Sequence, residues 1–142
     1  MALSRLSIVV GLLVGLVGCS GSKTAPVNGT IFYSDKPDEP ATELVGYTIT
    51  FEAADGNESS VGTVGKDGKF TMSTFKEGDG GLKGKMKVAV TPPIGLNSSM
   101  TATKIDPRHH AFATSGLEVE IGSGKNDITL KVDRLPKSPP PQ

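Results

Sequence analysis

Four stretches of this chain alternate apolar and polar residues, and a two-residue period admits few folds. In "YTITF", Tyr47, Ile49 and Phe51 share one face while Thr48 and Thr50 share the other. "KMKVAVT" sets Met86, Val88 and Val90 against Lys85, Lys87 and Thr91. "LEVEI" sets Leu117, Val119 and Ile121 against Glu118 and Glu120, and "DITLKV" sets Ile128, Leu130 and Val132 against Thr129 and Lys131. Side chains on a strand point alternately to opposite faces, so such runs predict half-buried antiparallel strands. Glycine, proline and β-branched residues throughout the rest of the chain argue against helix.

"VNGTIFY" (Val27 to Tyr33), "SSVGTVG" (Ser59 to Gly65) and "KFTMSTF" (Lys69 to Phe75) are further strand candidates. About seven short strands with turn signals between them predict an all-β fold, a single antiparallel β-sandwich of Ig-like or transthyretin-like type. The stretch from Thr91 to Thr114, with Pro92, Pro93 and Pro107, lacks a clear strand and is expected to be a long surface loop. The closing "PKSPPPQ" is proline-rich and expected to be extended and disordered.

Two acidic-glycine steps, Asp67-Gly68 and Asp79-Gly80, raise the question of a calcium or phosphate loop. A calcium loop of the EF-hand kind needs oxygen ligands at alternating positions. From Asp67 the third and fifth positions are Lys69 and Thr71; from Asp79 they are Gly81 and Lys83. Gly84-Lys85 resembles the end of a phosphate loop, but Asp79 stands at its first glycine and Met86 at its Ser/Thr. The turn reading is sufficient. Asp67-Gly68 lies between two alternating runs and predicts a two-residue type I′ hairpin, and the glycines of "KEGDGGLKG" suit a wide loop.

"PVNGTIFYSDKP", "YTITF", "GTVGKDGKFTMST", "GDGGLKGKMKVAV" and "ATSGLEVEIGSGKNDITLKV" follow one another in order. That succession resembles the carboxypeptidase-regulatory-like, or transthyretin-like, domain of many small bacterial envelope lipoproteins, over roughly Pro26 to Val132. The resemblance implies a scaffold. Its motifs are turns and strands, Met86 stands where such domains often carry an aromatic residue, and the His and Arg motifs of the transthyretin-related hydrolases have no counterpart here.

The N-terminus carries an address. Arg5 precedes an apolar run from Leu6 to Gly18 that is too short to span a bilayer as a helix and has the length of a signal-peptide core. "LVGC", Leu16 to Cys19, resembles the lipobox of bacterial lipoproteins, whose cysteine is acylated after cleavage. Cys19 is the only cysteine, so no intrachain disulfide forms. Ser20, in place of an aspartate, implies by the same resemblance the outer membrane. The chain is thus expected to divide into a signal peptide (1–18), a lipidated N-terminus and tether (19–25), a sandwich (26–133) and a disordered tail (134–142).

The whole chain has a formal net charge of zero, and losing Arg5 with the leader leaves one net negative charge. Neither nucleic acid nor anionic lipid has a basic patch to meet. Among candidates for chemistry, His109 and His110 are the only histidines and have Asp106 and Arg108 nearby, but adjacent histidines on a strand diverge and zinc needs three or four protein ligands. They are expected to be exposed loop residues. Asp55, Glu58, Glu118 and Glu120 are the carboxylates with some prospect of clustering. Sugar-binding faces usually present aromatic platforms; this chain has no tryptophan, and only Phe32 or Tyr33 offers an exposed ring. The expectation is a non-catalytic, lipid-anchored envelope protein with no cofactor, held to the membrane through Cys19 and serving a structural, adhesive or protein-interaction role. The alternative is a surface glycan- or metal-binding module using the Pro92–His110 loop, and last comes a transthyretin-related hydrolase.

Overall fold

The computed structural model describes residues 21–95 and 103–137; the expected signal peptide, Cys19 and Ser20 lie outside them, as do 96–102 and 138–142. The described residues hold ten strands: β1 (Thr24–Ala25), β2 (Val27–Tyr33), β3 (Lys36–Pro40), β4 (Thr48–Ala53), β5 (Ser59–Thr63), β6 (Lys69–Thr71), β7 (Gly81–Leu82), β8 (Gly84–Thr91), β9 (Leu117–Ile121) and β10 (Asn126–Val132). Each of the seven expected runs contains a strand. The three extra strands, β1, β3 and β7, are too short or too polar to show a period; all five residues of β3 are exposed.

The strands form two four-stranded sheets. One runs β10-β2-β3 with β6 also on β2, and the other runs β5-β4-β8-β9; β1 and β7 make a small ribbon. The pairs are antiparallel except β10 with β2, which run parallel from Asn126 opposite Val27 to Val132 opposite Tyr33. A period of two is the same in either direction, so the sequence pattern carries no sign of this pair.

The inner faces meet as the alternation dictates. Ile31, Ile49, Phe51, Val64, Met72, Val88, Val90 and Val132 are at most 1% exposed. Burying each such side chain stabilises the fold by roughly 1.5–3 kcal/mol. The Phe51 and Phe70 rings meet edge to face between the sheets, 6.4 Å apart at 85°. The Phe70 ring lies over Gly29 of β2, where a Cβ would sit 2.1 Å from the ring. This close approach explains a glycine inside a strand.

Asp67-Gly68 makes a hairpin turn of a different kind from the one expected. Only Gly68 has positive φ (76°), which rules out type I′. Gly68 N–H donates to the Gly65 carbonyl and Gly65 N–H to the Lys69 carbonyl, the pattern of a type I turn closed by a left-handed glycine bulge. The extra loop residue lets the arms part: β5 stays on β4 while β6 crosses to β2.

Three further expectations change. The body starts before Pro26, since Thr24 and Ala25 pair with Leu82 and Gly81. It ends after Asp133, since Arg134 bridges Ile105 and its guanidinium lies 3.6 Å from the centre of the buried Tyr33 ring. The described part of the expected surface loop is partly interior: Ile105 and His109 are buried, and the 3-10 turn Pro107–His110 packs against β8.

Candidate functional site: an open strand edge

Among the described residues, β10 is bonded to a strand on one side only. Asn126 N–H donates to the Pro26 carbonyl at 2.9 Å, and Ser34 N–H donates to the Val132 carbonyl at 2.9 Å. These two bonds fix the phase of the ladder. Main-chain groups of Asn126, Ile128, Leu130 and Val132 face β2, so those of Asp127, Thr129 and Lys131 point away from it. All three residues are exposed, and β10 pairs with β2 alone among the described strands. Asp133, next in the same phase, is covered: its N–H donates to His109 Nε2 at 3.0 Å and its carbonyl accepts from Asp106 N–H at 2.9 Å. The open edge therefore stops where the 105–115 segment begins.

That segment is built around His109, 2% exposed. Nδ1 donates to the Ser115 carbonyl at 3.1 Å while Nε2 accepts from Asp133. Accepting at Nε2 requires a neutral ring, and burial first of all holds the imidazole pKa below its ordinary value. The expectation of an exposed loop histidine fails because the two main-chain groups of this turn need a two-ended partner that imidazole supplies. With both nitrogens engaged, His109 has no lone pair for a metal. Its neighbours hold the turn in place: Asp106 Oδ1 caps Arg108 N–H at 2.9 Å, Arg108 pairs with Asp133, and His110 Nε2 lies 3.1 Å from Thr103 Oγ1. Among the described residues, no three or more His, Cys, Asp or Glu side chains converge as a metal site.

The other carboxylates stand apart. Asp55 Oδ1 accepts from Asn57 N–H, and Glu58 pairs with Lys23 at 3.5 Å across the surface. Glu118 and Glu120 stand opposite Lys87 and Lys85 on the outer face of their sheet. Asp67 and Asp79 bind their own loops. Asp67 Oδ1 accepts from Lys69 N–H. The Asp79 carboxylate accepts from Thr74, Phe75 and Lys76 N–H at 2.7, 3.0 and 3.2 Å, and these bonds, Thr74 first, hold its pKa below the ordinary value. Below that loop, Ser60 Oγ, fully buried, accepts from Leu82 N–H and meets Thr74 Oγ1 at 2.8 Å.

Of the other edges, β9 is also open among the described residues, whereas β3 and β5 are not. On β9, bonds from β4 to β5 (Val64 N–H to the Tyr47 carbonyl, Ala53 N–H to the Glu58 carbonyl) set the phase of the whole sheet, leaving Glu118 and Glu120 with outward main-chain groups. β3 carries Pro37, Asp38, Glu39 and Pro40, which blunt an edge by removing donors and adding charge. β5 is covered at Val61, whose N–H and carbonyl both bond Ser73. Across the outer face of β10, β2 and β6 lies a groove of about 630 Å³ lined by Asn28, Thr30, Lys69, Thr71, Asp127 and Thr129. Of the two rings in question, Tyr33 is buried and Phe32 is half-buried. Burial, followed by the Glu43 carboxylate, pushes the Tyr33 hydroxyl up to about 12.

The alternation that makes Thr129 and Lys131 surface residues is plain in the sequence. That β10 is the outermost strand is not, because no local pattern records strand order. His109 carried no signal at all beyond its residue type.

No protein-family model and no curated protein matches this chain. Among solved structures, the crystal structure of a DUF3823 family protein from Parabacteroides merdae is similar, with 14% identity and a TM-score of 0.46. The similarity covers 80% of this chain and 48% of that one, so this chain matches about half of that protein's length.

Proposed function

We propose that this chain is a non-catalytic, lipid-anchored module of a bacterial cell envelope that meets protein partners by strand addition at the β10 edge. The observation that carries the reading is the outward main chain of Asp127, Thr129 and Lys131 on an exposed strand that holds no proline and that no described segment covers. An extended segment laid there completes the ladder with main-chain hydrogen bonds, and the alternate side chains supply selectivity. The anchor rests on the lipobox-like Leu16–Cys19 and its apolar leader. Acylation at Cys19 would hold the body close to the membrane, since the four residues between Cys19 and Thr24 of β1 reach at most about 14 Å even when extended. The non-catalytic part draws on the tasks of the ionisable side chains: His109, Asp106, Asp67 and Asp79 all bind main chain.

Two measurements test this. Intact-mass spectrometry of the protein taken from bacterial membranes should show the chain starting at an acylated Cys19; a retained leader or a free thiol removes the anchor. A photo-crosslinking residue in place of Thr129 should give defined protein adducts in cells, while the same residue in place of Asp38 on β3 should not. Equal labelling from both positions removes the edge.

A further inference from the structure

We propose that the occupant of the β10 edge is the β10 strand of a second copy of this chain, an inference that rests on the strand-edge reading above. Its basis is the order of charges along the edge. The outward residues are Asp127, Thr129 and Lys131, one negative, one neutral and one positive. A two-fold axis normal to the sheet at Thr129 sets the two strands antiparallel. Thr129 then faces Thr129 of the other copy, and each Asp127 faces a Lys131. All three positions become hydrogen-bonded pairs, so the N–H and carbonyl groups left open on each copy are satisfied together.

Neither Asp127 nor Lys131 forms an ion pair among the described residues. Their sheet neighbours on β2 are Asn28 and Phe32, which offer no opposite charge. The neighbouring β9 edge excludes the same arrangement. Self-pairing about Val119 would set Glu118 against Glu120 of the other copy twice, like charges directly opposed. The two copies are therefore joined through one sheet, with the acidic β9 edges holding the second layers apart. An axis normal to the sheet also brings Gly21 of both copies to the same height, so two tethers can reach one membrane.

The test is the mass of the full chain by sedimentation equilibrium in density-matched detergent. The unaltered chain should be a dimer. Asp127→Lys or Lys131→Asp alone opposes like charges at two symmetry-related points and should weaken the dimer about tenfold or more. The exchange Asp127→Lys with Lys131→Asp should restore it. In a Cys19→Ser background, Thr129→Cys should oxidise to a covalent dimer, because main chains at a hydrogen-bonded pair lie about 5.5 Å apart. Asp38→Cys in that background should not. A monomeric unaltered chain, or a mass indifferent to the single reversals, overturns the proposal. If crosslinks from position 129 then lead to a different envelope protein, strand addition stands and only the second copy is lost; if they lead nowhere, both are lost.

Discussion

The two long sides of this sandwich end their sheets in different ways. On the β5 and β6 side, Val61 exchanges both main-chain bonds with Ser73, Gly65 donates to Lys69, and the loop beyond is tied down by Asp79, Ser60 and Thr74. On the β9 and β10 side the chain closes only one end. His109, Asp106 and Arg108 take up the groups of Asp133, while Asp127, Thr129 and Lys131 stay open among the described residues. The closed side relies mostly on groups close in sequence, at most 14 residues apart except for Ser60 and Leu82, which are 22 apart. The half-closed side depends on bonds between residues 24 apart. A shut edge protects against unwanted pairing, and an edge left open for three residues presents a defined template.

Substitutions that damage either side should rank by how rigid the contact is. Gly80→Ala is the most severe. At φ +96° its added Cβ would sit 2.0 Å from the Ala25 carbonyl oxygen, main chain against main chain. A loss of about 3–4 kcal/mol, read from the urea midpoint, is expected. A fall below about 1 kcal/mol would mean that the β1 and β7 ribbon yields easily.

His109→Ala comes next and acts on the other side. It leaves the buried Ser115 carbonyl and Asp133 N–H unpartnered and opens a void, an expected loss of about 3 kcal/mol. The same residue sets a pH dependence. Its folded pKa lies below the ordinary 6.5, so the folded state binds its proton later than the unfolded chain does. Its stabilising share is complete above about pH 6.5 and is lost as pH falls from there through the folded value. Urea titrations across that range should slope for the unaltered protein and flatten for His109→Ala. An unchanged slope would assign it elsewhere.

Ser60→Ala should cost about 2 kcal/mol, because Leu82 N–H then lacks its acceptor in the interior. Asp79→Ala should be the mildest. It frees three amides near the surface, so hydrogen exchange at Thr74, Phe75 and Lys76 should quicken while the urea midpoint hardly moves. Acid should mimic it. With its folded pKa lowered from 3.8, Asp79 protects those amides above that value, and the protection is lost as pH falls through the folded value. A large midpoint shift in Asp79→Ala would show that the closed side is a global support and not a local one.

The fold was legible in sequence wherever burial follows a period. Tyr47, Ile49, Phe51, Met86, Val88 and Val90 are all buried, as their alternation demands. Asp67-Gly68 was legible as a turn, but its type was not, since two and three-residue loops both accept that pair. The site was less legible. The composition of β3 announces a blunted edge, whereas β10 reads like any half-buried strand.

Taken alone, the order of residues determined seven of the strands, their inward faces, the places where the chain turns and an apolar N-terminal run with the single cysteine behind it. Each of these follows from steric and hydrophobic rules acting over a few neighbouring positions. Only the tertiary structure decided that β10 runs parallel to β2 at the outside of its sheet, that His109 is interior, and that the main chain of Asp127, Thr129 and Lys131 meets no partner among the described residues. These depend on which distant segments meet, and a hydrogen-bonding group left without a partner becomes visible only when every possible neighbour has been placed.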